Sequence, residues 1–143
     1  SAKIKDQNEP EARSALSGVP VTLPPMTRAV KIQEKAARVG FDWKDPSPVF
    51  DKVSEELEEV RVEMKNPSHE KALEDEVGDL LFAVTNLARH LNINPEVALR
   101  STNEKFTSRF GKMEQAIVNS GSELQDASLE HMEEVWQQVK RQD

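Results

Sequence analysis

Apolar residues recur at helical spacing along most of this chain, and this periodicity constrains the fold more than any other feature. The longest stripe lies in the middle of the sequence and consists of Leu73, Val77, Leu80, Val84, Leu87 and Leu91. Steps of four and three place side chains on one face of an α-helix, and we expect this helix to be the most buried one. No segment shows the strict alternation that predicts a strand, so the chain is predicted to be all-α.

Proline, glycine and asparagine residues separate the periodic segments. The predicted helix starts are, in chain order, Pro24-Pro25, Ser47-Pro48, Ser68, Asn94-Pro95 and Ser128. A serine or asparagine side chain at such a position accepts a hydrogen bond from a free backbone N–H group. Gly40 is predicted to end the first helix. Residues 22–143 therefore predict a four- to five-helix, bundle-like domain, and residues 1–21 predict a flexible tail or an interdomain linker.

The composition limits what such a domain can do. Hydrophobic residues make up 36% and charged residues 31% of the chain, which is lean for a free-standing core, so we expect dimerisation to complete it. The net charge of -7 argues against nucleic acid polymers as partners. Without a membrane-length apolar run or a signal-peptide pattern, no membrane association and a cytoplasmic location are expected. The absence of cysteine excludes disulfides and thiolate metal sites.

Two pairs of carboxylates, Glu56-x-x-Glu59 and Glu76-x-x-Asp79, carry the strongest chemical signal. Each pair has i, i+3 spacing, and a hairpin of the second and third helices would bring all four side chains together. A single acidic pair is more often solvated surface, but the second pair lies beside the most apolar stripe, where an unpaired carboxylate is costly. Oxygen ligands favour Mg²⁺, with Mn²⁺ possible, and Asn86 is placed to orient a ligand or a bound water.

A row of cations on the fourth helix provides a second signal. Lys105, Arg109 and Lys112 follow each other at steps of four and three. Such a row fits an intersubunit salt-bridge strip about as well as it fits bound phosphates, and a nearby metal site favours phosphates. Trp43 is expected in the core or an interface, whereas Trp136, one turn before Lys140, has a spacing that would let it stack on a base.

Several ordered segments together resemble one enzyme family. They are Lys31-Ile32-Gln33, Val39-Gly40-Phe41-Asp42-Trp43, Glu55-Glu56-x-x-Glu59, Glu76-x-Gly78-Asp79-Leu80-Leu81-Phe82, Asn86-Leu87-Ala88-Arg89-His90, Asn103-Glu104-Lys105-Phe106 and the segment from Glu133 to Lys140. With this pattern the chain resembles the all-α nucleoside triphosphate pyrophosphohydrolases. It is most similar to the C-terminal catalytic domain of the MazG proteins, over roughly residues 16–141.

The resemblance implies hydrolysis of nucleoside triphosphates to monophosphate and pyrophosphate with Mg²⁺ in a helical homodimer, with broad base specificity. By position, it makes Glu56, Glu59, Glu76 and Asp79 the metal ligands and catalytic residues. The residues that it implies for nucleotide binding are Lys52, Glu55, Lys71, Lys105, Arg109 and Trp136. Lys71 is the least direct of these assignments, because Ala72 aligns better with the lysine of the family.

Two other interpretations of the same residues stay open. One is a pyrimidine-specific enzyme that hydrolyses dUTP or dCTP, which a panel of triphosphates would separate from a broad-specificity enzyme. The other is a non-catalytic, acidic helical interaction module. That module would release no pyrophosphate from any triphosphate, and Mg²⁺ would not raise its melting temperature.

Overall fold

The structure is a computed structural model, and it describes residues 14–143, so most of the predicted tail at residues 1–21 lies outside the described residues. The described residues contain helices and turns but no strand. The helices are α1 (Pro25–Arg38), α2 (Ser47–Lys65), α3 (Ala72–His90), α4 (Pro95–Asn119), a 3₁₀ turn (Leu124–Asp126) and α5 (Leu129–Gln142). The prediction of an all-α fold is confirmed.

The helix ends follow the predicted chemistry at three positions. Gly40 has a φ of 93° just beyond α1, a left-handed conformation that glycine adopts without strain. The Asn94 side chain accepts a hydrogen bond from Glu96 N at 2.9 Å, and the Ser128 side chain accepts one from His131 N at 3.1 Å. Both residues therefore cap the helices that the sequence predicts them to cap.

The predictions for Ser47 and Ser68 are wrong. Ser47 already belongs to α2, and its backbone N–H donates to Asp45 Oδ1 at 2.9 Å, so Asp45 supplies the oxygen at this helix start. Ser68 donates from both its backbone N and its Oγ to the Glu63 carboxylate, and α3 begins only at Ala72. The Glu63 carboxylate near the end of α2 therefore accepts hydrogen bonds from Ser68 and holds the connection between α2 and α3 against α2.

The chain divides into two compact units, one up to Glu96 and one from Val97 to Asp143. In the first unit, α2 packs along α3, and α1 packs against α3. In the second unit, the buried side chains of Met113, Ile117, Val135 and Val139 form an apolar cluster between α4 and α5. The Phe106 ring contacts the Trp136 ring there, with 5.2 Å between their centroids.

Of the described helices, α3 has the largest number of buried residues, three, as expected, but the apolar stripe that led to this expectation is largely exposed in the single chain. Leu73, Val77, Leu81 and Val84 are between 39% and 55% exposed. The buried residues of α3 are small or polar, namely Ala72, Ala83 and Thr85. The reason is geometric, because α1 and α2 cover only part of the helix circumference and the apolar stripe is wider than the covered part. Within residues 14–143, no helix combines the length and apolar character needed to cross a bilayer.

Candidate functional site

Carboxylates from α2 and α3 converge as the sequence predicts. Glu56, Glu76 and Asp79 each offer one oxygen, and these oxygens lie within 4.8 Å of one another. Glu55, Glu56 and Glu59 form a second group within the same limit. Glu56 belongs to both groups, so the packing of α2 along α3 joins them into one acidic site composed of these five residues.

Two oxygens of the acidic site are buried without a hydrogen-bond donor. Glu56 is only 5% exposed. Its Oε2 atom and the Oε2 atom of Glu76 accept no hydrogen bond from the described part of the chain. A buried carboxylate oxygen without a partner costs free energy that hydrogen bonds or a cation would offset. Buried carboxylate oxygens that face other carboxylates are suitable ligands for a hard divalent cation such as Mg²⁺.

The electrostatics of the site also indicate an excess of negative charge. The negative charge of Glu56 is the largest of the causes that raise the pKa of Glu59 to about 7, and Glu76 raises this pKa further. Lys52 supplies a local positive charge, with its Nζ 2.6 Å from Glu55 Oε2 and 3.1 Å from Glu56 Oε1. Hydrogen bonds to Glu55 and then Glu56 hold the pKa of Lys52 above its usual value. This ammonium group engages the α2 carboxylates, but Glu56 Oε2 and Glu76 Oε2 remain without a hydrogen-bond partner among residues 14–143.

A cleft of about 870 Å³ adjoins the acidic site in the first unit. Lys52, Glu56 and Asp79 belong to its wall, so the cleft and the acidic site are continuous. The remaining wall is mostly apolar and consists of Leu16, Ile32, Ala36, Gly40, Phe41, Trp43, Phe82 and Ala83, with polar contributions from Gln33, Asp42, Asn86 and Arg89. An apolar cleft with a few polar groups is the usual form of a small-molecule site, and its volume accommodates a nucleoside.

An ion pair fixes the loop that carries the aromatic wall residues. Arg89 donates from Nη1 and Nη2 to the two carboxylate oxygens of Asp42, at 3.1 and 2.8 Å. His90 Nε2 lies 2.7 Å from Asp42 Oδ1. The hydrogen bonds from Arg89 are the main reason that the pKa of Asp42 falls to about 2. The loop between α1 and α2 is thereby attached to the end of α3, with Phe41 and Trp43 on either side of the bonded residue.

The other predicted residues of the first unit have different surroundings. Asn86 lines the cleft, and its Oδ1 accepts a hydrogen bond from Arg89 Nε at 3.0 Å. Lys71 has a 72% exposed side chain that lies 3.8 Å from Glu74 and forms no part of the cleft wall. Trp43, expected in a core or an interface, is 42% exposed and lines the cleft.

Lys105, Arg109 and Trp136, which are predicted to bind nucleotide, lie in the second unit. Arg109 forms an ion pair with Asp143, and Lys112 lies 3.4 Å from the same carboxylate. Lys105 is exposed, and Trp136 is half-buried against Phe106. The roles of Lys105, Arg109 and Trp136 with nucleotide remain predictions.

Sequence reasoning gave no site role to Gln33, Asp42 and Arg89, all of which line the cleft. Asp42 and Arg89 are 47 residues apart, and Gln33 reaches Thr85 across 52 residues. Helical spacing reports neighbours three or four residues apart and carries no signal for such pairs. The available signal was that all three lie in the segments that carry the family resemblance.

An all-helical chain with clustered carboxylates beside a nucleoside-sized cleft has the features of the all-α nucleotide pyrophosphohydrolases. Residues 45–113, which include the whole acidic site, match the family model of the MazG nucleotide pyrophosphohydrolase domain. The chain belongs to this MazG family.

Relatives from three bacteria cover nearly the whole chain. It is 49% identical over 142 residues, which is 99% of this chain, to the nucleoside triphosphate pyrophosphohydrolase of Escherichia coli K12. It is 44% identical over 138 residues to the nucleoside triphosphate pyrophosphohydrolase/pyrophosphatase MazG of Thermotoga maritima. Protein YabN of Bacillus subtilis, described as uncharacterized, is 45% identical over 138 residues. The matches cover 54%, 52% and 28% of these relatives, so the chain spans about half the length of the first two.

Proposed function

We propose that this protein hydrolyses nucleoside triphosphates to nucleoside monophosphate and pyrophosphate with Mg²⁺ as cofactor. The observation that carries the proposal is that one oxygen each of Glu56 and Glu76 is buried beside a nucleoside-sized cleft without a hydrogen-bond partner in the described part of the chain. The names of the Escherichia coli and Thermotoga maritima relatives support the same reaction.

Glu56, Glu59, Glu76 and Asp79 are the proposed metal ligands, because Glu56 forms one group of carboxylates with Glu76 and Asp79 and another with Glu59 where α2 packs along α3. Mg²⁺ held there would neutralise charge on the triphosphate oxygens and lower the pKa of a bound water. Mn²⁺ has the same preference for oxygen ligands and is the alternative cofactor. Asn86 and Arg89 form a hydrogen-bonded pair in the adjoining wall and help to define the shape of the cleft.

The residues of the chain have distinct proposed tasks. Glu55 and Glu59 are exposed, whereas Glu56 is buried, so the first two are the candidates to orient the attacking water or to take its proton. Lys52 forms ion pairs with Glu55 and Glu56, and its ammonium group borders the nucleotide there. The family resemblance adds Lys105 and Arg109 as phosphate-binding residues, Trp136 as a nucleotide contact and Lys71 as the least direct candidate.

The cleft is proposed to hold the nucleoside of any common triphosphate. The cleft is large enough for a purine as well as a pyrimidine nucleoside, and its wall is largely apolar. Broad base specificity follows, while a narrow enzyme for dUTP or dCTP is the competing outcome.

Product analysis tests the reaction. The purified protein is incubated with ATP, GTP, CTP, UTP, dUTP and dCTP, with and without Mg²⁺, and the products are separated by ion-exchange chromatography. We expect monophosphate and pyrophosphate in equal amounts, only with the metal, and at comparable rates on purines and pyrimidines. Turnover of dUTP or dCTP alone would favour the narrow enzyme. No product with any triphosphate, and no rise in melting temperature with Mg²⁺, would leave the interaction module as the better interpretation.

A homodimer is the proposed assembly. On α2 and α3, the exposed large apolar side chains include Phe50, Leu57, Met64, Leu73, Val77, Leu81 and Val84. An exposed apolar surface of this kind usually contacts another protein, and a second copy would complete the thin core of the first unit. Light scattering after size-exclusion chromatography should give twice the mass of one chain for the wild type. The Leu81→Glu variant should have the mass of a single chain. Val21→Glu, at an exposed valine outside both helices, is the control. A monomeric wild-type protein would contradict this assembly.

A cytoplasmic location of the protein remains a prediction.

A further inference from the structure

The side chain of Gln33 joins α1 to α3 in the wall of the cleft. It is 6% exposed. Its Nε2 atom donates to the backbone oxygen of Phe82 at 3.1 Å and to Thr85 Oγ1 at 3.3 Å. Its carbonyl oxygen, Oε1, is buried and accepts no hydrogen bond from the part of the chain that the structure describes.

The hydrogen bonds around Gln33 fix which end of the amide is which. The Phe82 carbonyl can only accept, and Thr85 Oγ1 donates its single hydrogen to that carbonyl at 2.7 Å. Both neighbours therefore need a donor from Gln33, and only the NH₂ group provides one. Both amide hydrogens are engaged, so Oε1 is held on the opposite side as a pure acceptor.

A brace between two helices does not account for this unpaired acceptor. A buried carbonyl oxygen without a donor is unfavourable, and buried polar groups in proteins are rarely left in that state. The side chain of Gln33 shares the cleft wall with Glu56 and Asp79 of the acidic site. A ligand that occupies the cleft could supply the missing donor.

We propose that Gln33 is a specificity-determining residue whose Oε1 accepts a hydrogen bond from an N–H group of the nucleobase. This inference rests on the proposed function, since it requires a nucleotide in the cleft. The oxygen is covered in the structure, so contact with the base requires the cleft wall around it to move.

The recognised feature is the presence of a donor and not the identity of the base. Adenine and cytosine present an exocyclic amino group, and uracil and guanine present a ring N–H group on the same edge. A single fixed acceptor therefore tolerates all four bases. It discriminates against bases that lack a donor on this edge, because Oε1 would then stay unpaired beside the ligand.

Two substrate pairs isolate this hydrogen bond. ATP is compared with purine riboside triphosphate, which lacks the 6-amino group. CTP is compared with the triphosphate of pyrimidin-2-one riboside, which lacks the 4-amino group. In each pair, we expect the wild-type kcat/KM to be roughly ten- to a hundredfold higher for the member with the donor. This ratio does not depend on the fraction of folded enzyme, because both substrates are measured on one preparation.

The variants separate recognition from stability. Gln33→Leu removes the acceptor, and we expect the ratio within each pair to fall to about one. Thr85→Val is the matched control, because it weakens the same brace but leaves the Phe82 carbonyl to hold the amide in place. We expect both variants to lower the melting temperature, while Thr85→Val keeps the wild-type ratio.

Two results would overturn the inference. One is a wild-type ratio near one in both substrate pairs, and the other is an unchanged ratio in Gln33→Leu. If the wild-type protein hydrolyses no triphosphate, the proposed function fails, and the Mg²⁺-dependent Kd values of the same pairs by calorimetry decide the role of Gln33. Equal Kd values, or no binding at all, would then refute it.

Discussion

The two units of this protein bury different kinds of side chain. The second unit buries only apolar residues, namely Met113, Ile117, Val135 and Val139. The first unit buries Val49, Ala72 and Ala83, together with the polar or charged residues Gln33, Glu56 and Thr85. Three oxygens are buried without a hydrogen-bond partner among the described residues, namely Gln33 Oε1, Glu56 Oε2 and Glu76 Oε2. All three belong to the first unit.

This difference shows where stability and chemistry are separated in the molecule. An apolar cluster lowers the free energy of the folded chain and leaves no unsatisfied group. Unpaired buried oxygens raise that free energy, and sites of ligand binding commonly bear such a cost. Substitution of buried residues should therefore affect mainly activity in the first unit and mainly stability in the second.

The largest expected effect is that of Glu56→Gln on turnover. The amide has nearly the same size but no negative charge, so we expect pyrophosphate release to fall by roughly a thousandfold or more. The metal-free protein should unfold at an unchanged or higher temperature, because repulsion from Glu59 and Glu76 is relieved. Pyrophosphate release and thermal unfolding measure the two quantities.

Glu58→Gln is the control for this substitution. Glu58 is exposed and lies 3.5 Å from Arg61, and exposed ion pairs of this kind contribute little. Its turnover should equal that of the wild type. Near-normal turnover in Glu56→Gln, or a large loss of stability without Mg²⁺, would remove Glu56 from the metal site and weaken the contrast between the units.

The next largest effect is expected in the second unit. Ile117 is fully buried, and Ile117→Ala should lower the free energy of unfolding by about 2–4 kcal/mol, through lost apolar burial and a residual cavity. Urea unfolding followed by circular dichroism measures the change. The neighbouring Val118 is 49% exposed, so Val118→Ala should change stability by less than about 0.5 kcal/mol. Equal effects of the two substitutions would mean that the cluster is not the main source of stability.

Asp42→Asn tests the contact that holds the aromatic loop in the first unit. The amide cannot replace both charge-assisted hydrogen bonds from Arg89, so Phe41 and Trp43 should be held less firmly. We expect KM to rise roughly three- to tenfold while kcat changes little, because the loss affects positioning of the nucleoside. Asp51→Asn, at an exposed aspartate on α2, should leave both constants unchanged. A fall in kcat at constant KM would contradict a positioning role.

The smallest expected effect is the pH dependence of the same contact. The pKa of Asp42 is lowered from 3.8 to about 2, so its stabilising contribution is complete above pH 3.8 and is lost as the pH falls through 2. After allowance for solvent screening, this contribution is at most roughly 1 kcal/mol. Urea unfolding of the wild type and Asp42→Asn between pH 2 and 5 should show a difference that shrinks toward pH 2. A difference that is constant over this range would exclude the titration of Asp42.

Local features of the sequence predicted local features of the structure. The i, i+3 spacing of the acidic pairs predicted that Glu56, Glu76 and Asp79 lie close together. They do so because the helices that carry them form a hairpin. The caps at Asn94 and Ser128 were predicted because a capping side chain contacts its own helix start. Ser68 was mispredicted because Glu63, from the preceding helix, is its partner. This partner could not be identified from helix-start preferences alone.

Longer-range features were not predictable in the same way. The exposure of the α3 stripe depends on how much surface α1 and α2 cover, which no stripe specifies by itself. The bond between Asp42 and Arg89 and the brace at Gln33 depend on the docking of α1 and its following loop on α3. The acidic site could therefore be placed from sequence, whereas the wall of the cleft required the structure.

The long chain separation of these contacts has a consequence for folding kinetics. The α2–α3 hairpin closes through a short connection, whereas the contacts of α1 and of the loop that follows it close loops of 47 to 52 residues. Closing a longer loop costs more chain entropy, so we expect the hairpin to form early and α1 to dock late. The carboxylates would then be assembled before the cleft exists, and amide hydrogens of α1 should exchange with solvent sooner than those of α3.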